Sequence, residues 1–216
     1  MNHKITARIG LGWAVFITLA LTAWIAAGGP SAREIIPSLF QESYILESKG
    51  KHKAALKKAR EVLKRDPKEY VAQLRVGWLL YLDEEYTESV IAYRKVVAMK
   101  PSAIEPRLGL MLPLMALKKN SEATGVAQEI LKVDPQNYLA RSRMAFCLYL
   151  MGRYEKAGRE YEKLLVLYPS DVEMMAGLGW SQLKMDKKEA ARSTFARLLH
   201  IAPNHVIGKD GFSRCK

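Results

Sequence analysis

A chain of 216 residues, 49% apolar and 26% charged, is long enough to bury a sizeable core, and this composition excludes the disordered and collagen-like classes. Its formal net charge of +12 permits attraction to nucleic acid, anionic lipid headgroups or acidic proteins without choosing among them. The two cysteines, Cys147 and Cys215, lie far apart and make neither a disulfide framework nor a CxxC motif.

The N-terminus differs from everything after it. "MNHKITAR" carries Lys4 and Arg8, and Ile9 to Ala27 follow with no charged side chain. That length suits a membrane-spanning helix of about 20 residues, although the small residues of "WIAAGG" would also suit a cleaved signal peptide. Basic residues before the apolar run and only Arg33 close behind it place the N-terminus in the cytoplasm and everything after Pro30 across the membrane. The expectation is a single-pass inner-membrane protein with a periplasmic or otherwise extracytoplasmic domain; a cleaved form would be periplasmic or secreted. Residues 1–29 are thus assigned to an anchor or signal and 30–35 to a linker. Just beyond, "KGKHKAALKKAR", Lys49 to Arg60, is the one dense basic run.

From there a repeat takes over. Pro67, Pro101, Pro135, Pro169 and Pro203 are each 34 residues apart. Proline ends one helix and is tolerated where the next begins, so these residues punctuate a helical array. Placing them at position 32 gives five units, 36–69, 70–103, 104–137, 138–171 and 172–205. Position 20 then reads Ala55, Ser89, Ala123, Ala157, Ala191, and position 8 reads Ser43, Gly77, Met111, Ala145, Gly179. Small residues in both columns suit a hairpin whose helices cross closely. Position 24 (Ala59, Tyr93, Ala127, Tyr161, Phe195) and position 27 (Val62, Val96, Ile130, Leu164, Leu198) supply the apolar stripe of the second helix. In the third unit a large Met111 faces a small Ala127, a volume swap within one hairpin, and Pro113 is expected to kink its first helix.

This pattern resembles the tetratricopeptide repeat over about four-fifths of the chain, best in "GRYEKAGREYEKLLVLYPSD", Gly152 to Asp171, and nearly as well in "EEYTESVIAYRKVVAMKP". The resemblance implies an all-α, right-handed superhelical solenoid of five hairpins, here preceded by one hydrophobic helix, and a concave groove that takes a peptide segment or partner helix. Helical geometry puts positions 4, 7, 8 and 11 of each first helix on the packing side and positions 2, 5, 9 and 12 on the opposite, groove side. The groove candidates are Phe40, Tyr44, Leu74, Trp78, Tyr81, Leu112, Met115, Phe146, Tyr149 and Trp180, expected as one continuous apolar and aromatic strip. Arg75 and Arg143 border it at position 6, where Gly109 and Gly177 stand in the third and fifth units. These arginines suit either a carboxylate of a bound peptide or a salt bridge to a neighbouring repeat. The asparagine that the family's chaperone-binding clamp needs is missing at positions 6 and 9.

Catalytic chemistry finds no support. His200 and His205 are five apart, a spacing that does not bring two imidazoles onto one helical face, and phosphate loops, nucleophile elbows and HExxH motifs are absent. No cofactor or metal is implied. Nucleic acid is a poor candidate partner, because the basic residues are not organised with the aromatics. The expected function is a non-enzymatic membrane-tethered or exported scaffold, its partner a protein segment, in an envelope assembly. After Pro203, "NHVIGKDGFSRCK" has two glycines and reads as a polar tail over 206–216 with Cys215 a free thiol; the last hairpin then lacks a cap near Leu198, Leu199 and Ile201, which favours a homo-oligomer.

Overall fold

The computed structural model describes residues 32–216, with side chains described from residue 35. The apolar run 9–27, expected to anchor the chain, lies outside these residues. Among the described residues no helix is long and apolar enough to cross a membrane.

Eleven helices follow one another among the described residues: α1 (Ala32–Ser48), α2 (His52–Arg65), α3 (Tyr70–Leu82), α4 (Tyr86–Met99), α5 (Glu105–Ala116), α6 (Asn120–Val133), α7 (Tyr138–Leu150), α8 (Tyr154–Leu167), α9 (Val172–Lys184), α10 (Lys188–Ile201) and α11 (Val206–Ser213). Consecutive helices pack in pairs, and from α3 onward each first helix also touches the first helix of the next pair, so the odd-numbered helices form an inner layer. The expected five hairpins are all present. The first begins earlier than position 36, since α1 already starts at Ala32 and carries Pro37 within it. Pro113 likewise lies inside α5 without ending it.

The local chemistry accounts for the joints. Glu69, Asn137, Asp171 and His205, the last residues of their units, cap α3, α7, α9 and α11 by accepting a backbone N–H three residues on. At the end of the second unit that place falls to Ala103, whose side chain has no acceptor to offer, and α5 starts with Glu105 and Pro106 in its first turn instead. The turn inside each hairpin uses one left-handed residue at the same repeat position: Gly50, Glu84, Lys118, Gly152 and Asp186. Only Gly50 and Gly152 adopt it without steric cost.

The crossing point lies where the small columns placed it. Ala55, Ser89, Ala123, Ala157 and Ala191 have no exposed surface, nor do Val62, Val96, Ile130, Leu164 and Leu198. Ser43 donates from its hydroxyl to the Ala55 carbonyl at 3.0 Å, and Ser89 to that of Gly77 at 2.7 Å, so even the polar residues of the seam are satisfied. Met111 and Ala127 are both fully buried, as a volume swap requires.

The C-terminal segment departs from expectation. Residues 206–213 form α11 in place of a polar tail, and it packs on α9 and α10 as the first helix of a sixth unit would. Two glycines favour this helix instead of preventing it: a Cβ on Gly208 would meet Leu198 Cδ2 at 2.6 Å, and one on Gly211 would overlap the Phe195 ring. Leu198 is consequently buried, and Cys215 is a free thiol that is buried, at 5% exposure. At the packing positions of that unit Lys209, Ser213 and Lys216 are exposed and polar, and only Phe212 is apolar and partly buried. Of the flank on which a homo-oligomer was expected, Leu198 is covered and Leu199 partly so, while Ile201 remains 46% exposed.

Candidate functional site

The inner layer does not present one continuous strip. Its N-terminal part is closed on itself. Glu47 of α1 accepts from Arg75 Nη2 at 2.8 Å and from Trp78 Nε1 at 2.6 Å, Arg75 also donates to Ser43 Oγ, and its guanidinium lies 3.6 Å from the centroid of the Tyr44 ring. Arg75 is only 5% exposed. It is the salt bridge between neighbouring repeats and is not available to a ligand. Trp78 stacks on Tyr81 at 5.6 Å, Leu74 packs beside Trp78, and Phe40 packs against Leu39, Val62 and Ala72. Tyr44 remains half-exposed at the outer edge of this cluster and Leu112 is half-buried on α5.

The C-terminal part opens into a cavity of about 490 Å³ between α7 and α9. Met115, Arg143, Phe146, Tyr149 and Trp180, five of the expected groove residues, line it together. Ser142, Tyr161, Glu173, Met174, Ala176, Gly177 and Ile207 complete it. Phe146 is 46% exposed and projects into the opening. Trp180 is held edge-on against Phe195 at 6.0 Å with Arg214 over its ring at 5.4 Å, so α10 and the C-terminal segment both fix its plane. At the rim, His205 Nδ1 accepts from Gly208 N, which leaves the proton on Nε2 to donate to Glu173 at 3.1 Å.

Arg143 is the cation of this cavity, and Glu173, engaged by His205, is its carboxylate. One guanidinium N–H donates to the Leu108 carbonyl at 2.7 Å, and among the described residues no carboxylate lies within ion-pairing distance. Burial lowers its pKa, while Tyr81 and Tyr93 nearby act the other way. The phenol of Tyr161 on the cavity wall is pushed well up by burial and stays a neutral donor. A half-buried cation that shares a cavity with Phe146, Tyr149 and Trp180 has the chemistry to pair with a carboxylate attached to an apolar group.

The placement of Arg143 and Gly177 follows a rule that inspecting each column alone does not reveal. The residue at position 24 reaches the residue at position 6 of the next unit, 16 places on. Where position 24 is Tyr93, Tyr161 or Phe195, the following residue is Gly109, Gly177 or Gly211, and in each case a Cβ there would overlap the ring. Where position 24 is Ala59 or Ala127, the following residue is Arg75 or Arg143. At the first of these junctions Arg75 donates to Ser43 Oγ, the position-8 residue of the hairpin that carries Ala59; in the third unit Met111 fills the space beside Ala127 and Arg143 reaches the Leu108 carbonyl. Arginine therefore reaches the groove only at alternate junctions, and only the second of the two is left without a carboxylate. Among the described residues no group of three or more His, Cys, Asp or Glu side chains is placed to hold a metal.

Comparisons with known proteins agree with this architecture. A curated protein from Mycosarcoma maydis, the small glutamine-rich tetratricopeptide repeat-containing protein 2, is 23% identical over 113 residues, covering 52% of this chain and 32% of that protein. The chain thus spans about a third of the length of that relative. Among solved structures, a tetratricopeptide repeat protein from Parabacteroides merdae superposes with a TM-score of 0.76 at 16% identity, covering 83% of this chain and 72% of the other. MamA 41-end from Desulfovibrio magneticus gives 0.73 at 16% identity, over 79% of this chain and 97% of the other. YrrB, described as having an unusual peptide-binding site, gives 0.69 at 17% identity, over 81% and 90%. At these identities the likeness is one of fold. Family models described as tetratricopeptide repeat match residues 40–104 and 148–206 and, separately, 114–165. With one model matching more than half of its length, the chain belongs to the tetratricopeptide repeat family.

Proposed function

We propose that this protein is a non-enzymatic scaffold that holds an extended segment of another protein over the α7–α9 cavity, with a large apolar side chain in the cavity and a carboxylate on Arg143. A tetratricopeptide fold is suited to protein–protein interaction, and the observation that carries the finer reading is the half-buried, carboxylate-free Arg143 beside Phe146, Tyr149 and Trp180. Aromatic residues that a partner can desolvate are the commonest binding hot spots, and a charged hydrogen bond in the same pocket fixes orientation. The N-terminal apolar run supports tethering of this scaffold to a membrane with the repeats on the extracytoplasmic side, where it serves assembly of an envelope complex. A solved structure of like fold, described as having an unusual peptide-binding site, is compatible with this role.

Selection of binding peptides from a random library on the purified protein tests it. Recovered sequences are expected to pair a bulky apolar residue with a nearby acidic side chain or free C-terminus. Arg143→Gln is expected to weaken them about tenfold or more, and Phe146→Ala with Trp180→Ala by a similar factor. Peptides that bind all three proteins equally well, with helicity unchanged, refute the site.

A further inference from the structure

The basic run singled out in the sequence becomes a surface with a direction in the structure. Helix α2 carries Lys53, Lys57, Lys58, Arg60, Lys64 and Arg65 against one acidic residue, Glu61. That excess of five compares with an excess of at most two in α4, α6, α8 and α10. At 100° per residue, Lys53, Lys57, Arg60 and Lys64 fall within an arc of about 60° on the side away from Ala55, Ala59 and Val62. All four are exposed. Their neighbours do little to neutralise them. Lys58 turns aside to Glu42 at 2.7 Å and is the cation nearest Glu61, while Lys53, with 83% of its side chain exposed, only approaches Asp83 at 3.9 Å.

The place of this stripe in the solenoid identifies what it meets. Ile35 and Ile36 at the start of α1 pack, as Leu63 does, against the buried cluster of Leu39, Val62 and Ala72, so the chain enters α1 beside the Lys64 end of α2. Between Ala27, the last residue of the uncharged apolar run, and Ala32 lie few enough residues to span at most about 18 Å. Helix α2 is itself about 21 Å long. We infer that the Lys53, Lys57, Arg60 and Lys64 face of α2 lies on an anionic lipid surface, where it lays the first hairpin against the membrane and sets which way the groove faces. Long basic side chains meet this surface by extending their ammonium groups into the phosphate layer while the stems stay over the helix. This inference rests on membrane tethering through residues 9–27, and the experiment separates the two.

Full-length protein is reconstituted into phosphatidylcholine vesicles and into vesicles with about a third phosphatidylglycerol, and its lysines are acetylated by a water-soluble N-hydroxysuccinimide ester and read by mass spectrometry. Flotation with the neutral vesicles reports the tether alone. Lys53, Lys57 and Lys64 are expected to react about threefold or more slowly on the anionic vesicles, with the difference abolished at about 0.5 M salt. Lys132 and Lys184, exposed elsewhere, are expected to react alike on both. Combining Lys57→Gln with Arg60→Gln is expected to remove the protection of Lys53 and Lys64 at unchanged helicity. Equal acetylation on both vesicles at low salt overturns the inference even where the protein floats. Should the protein not float with neutral vesicles, the tether fails, and the same footprint with anionic vesicles added decides the stripe. Protection by polyglutamate or an oligonucleotide but by neither vesicle also overturns it, in favour of an acidic macromolecule.

Discussion

The ring of Tyr161 lies against Gly177 so closely that a Cβ at that position would sit inside it. The two residues belong to successive hairpins, and their fit sets the distance between α8 and α9. Gly177→Ala is expected to destabilise the protein by about 1–3 kcal/mol, although alanine is the better helix former by about 1 kcal/mol. In a Tyr161→Ala background the ring is gone and the same change is expected to stabilise by about 0.5–1 kcal/mol. A double-mutant cycle by urea unfolding reads the coupling, and equal effects in the two backgrounds contradict the fit.

Glu47 holds the closed end of the inner layer. It accepts from both Arg75 and Trp78, and Arg75 has no other carboxylate within reach among the described residues. Removing one partner of a largely buried pair leaves the other charge uncompensated, so Glu47→Ala is expected to cost about 2–4 kcal/mol. In an Arg75→Met background, which removes the charge to be compensated, the same change is expected to cost much less. Tryptophan fluorescence during chemical denaturation measures both, and a Glu47→Ala protein as stable as wild type rules out this role.

Helix α11 closes the solenoid. Deleting residues 206–216 uncovers Phe195, Leu198 and the Trp180 face, an apolar area comparable to one or two large side chains, and is expected to cost about 3 kcal/mol. Light scattering is expected to show the shortened protein associating while the intact one does not by this surface. A monomeric, undiminished truncation means that α11 adds no cover.

Cys147 is fully buried, and burial pushes its thiol up to about 11 from an ordinary value of 9.0. A raised folded-state value favours the folded state below pH 9, and this contribution is lost as pH rises from 9 towards 11. At pH 8, alkylation is expected to be slower than that of a free thiol by on the order of a hundredfold, and to become fast only in denaturant. Rapid labelling of native protein at Cys147 means that α7 opens locally.

The hairpins were legible because proline acts on the backbone whatever surrounds it, and the 34-residue spacing of Pro67 to Pro203 survives every change of side chain. The buried seam was legible for a similar reason, since Ala55 and Ala123 answer to the distance between two axes. The groove was less so. Arg75 and Arg143 occupy one column, yet one is buried on Glu47 and the other faces a cavity, because Glu47 and Met115 hold the same position in the preceding units and offer the two guanidinium groups different company. The last helix was misread because two glycines count as helix breakers in isolation, whereas Gly208 and Gly211 are needed to admit Leu198 and Phe195. That signal lay in the joint pattern of residues 16 apart, with Phe195 and Gly211 continuing the pairing of Tyr161 with Gly177.

This pairing has a consequence for how the array can change length. Loss of the single hairpin 104–137 would set Tyr93 against Arg143, two bulky groups in a space built for one. Loss of 104–171 would bring Tyr93 to Gly177, a match of the kind already present. Loss of the single hairpin 172–205 would bring Tyr161 to Gly211, again a match, so what decides whether a joint survives an excision is the kind of junction on each side of the lost segment and not how many hairpins it holds.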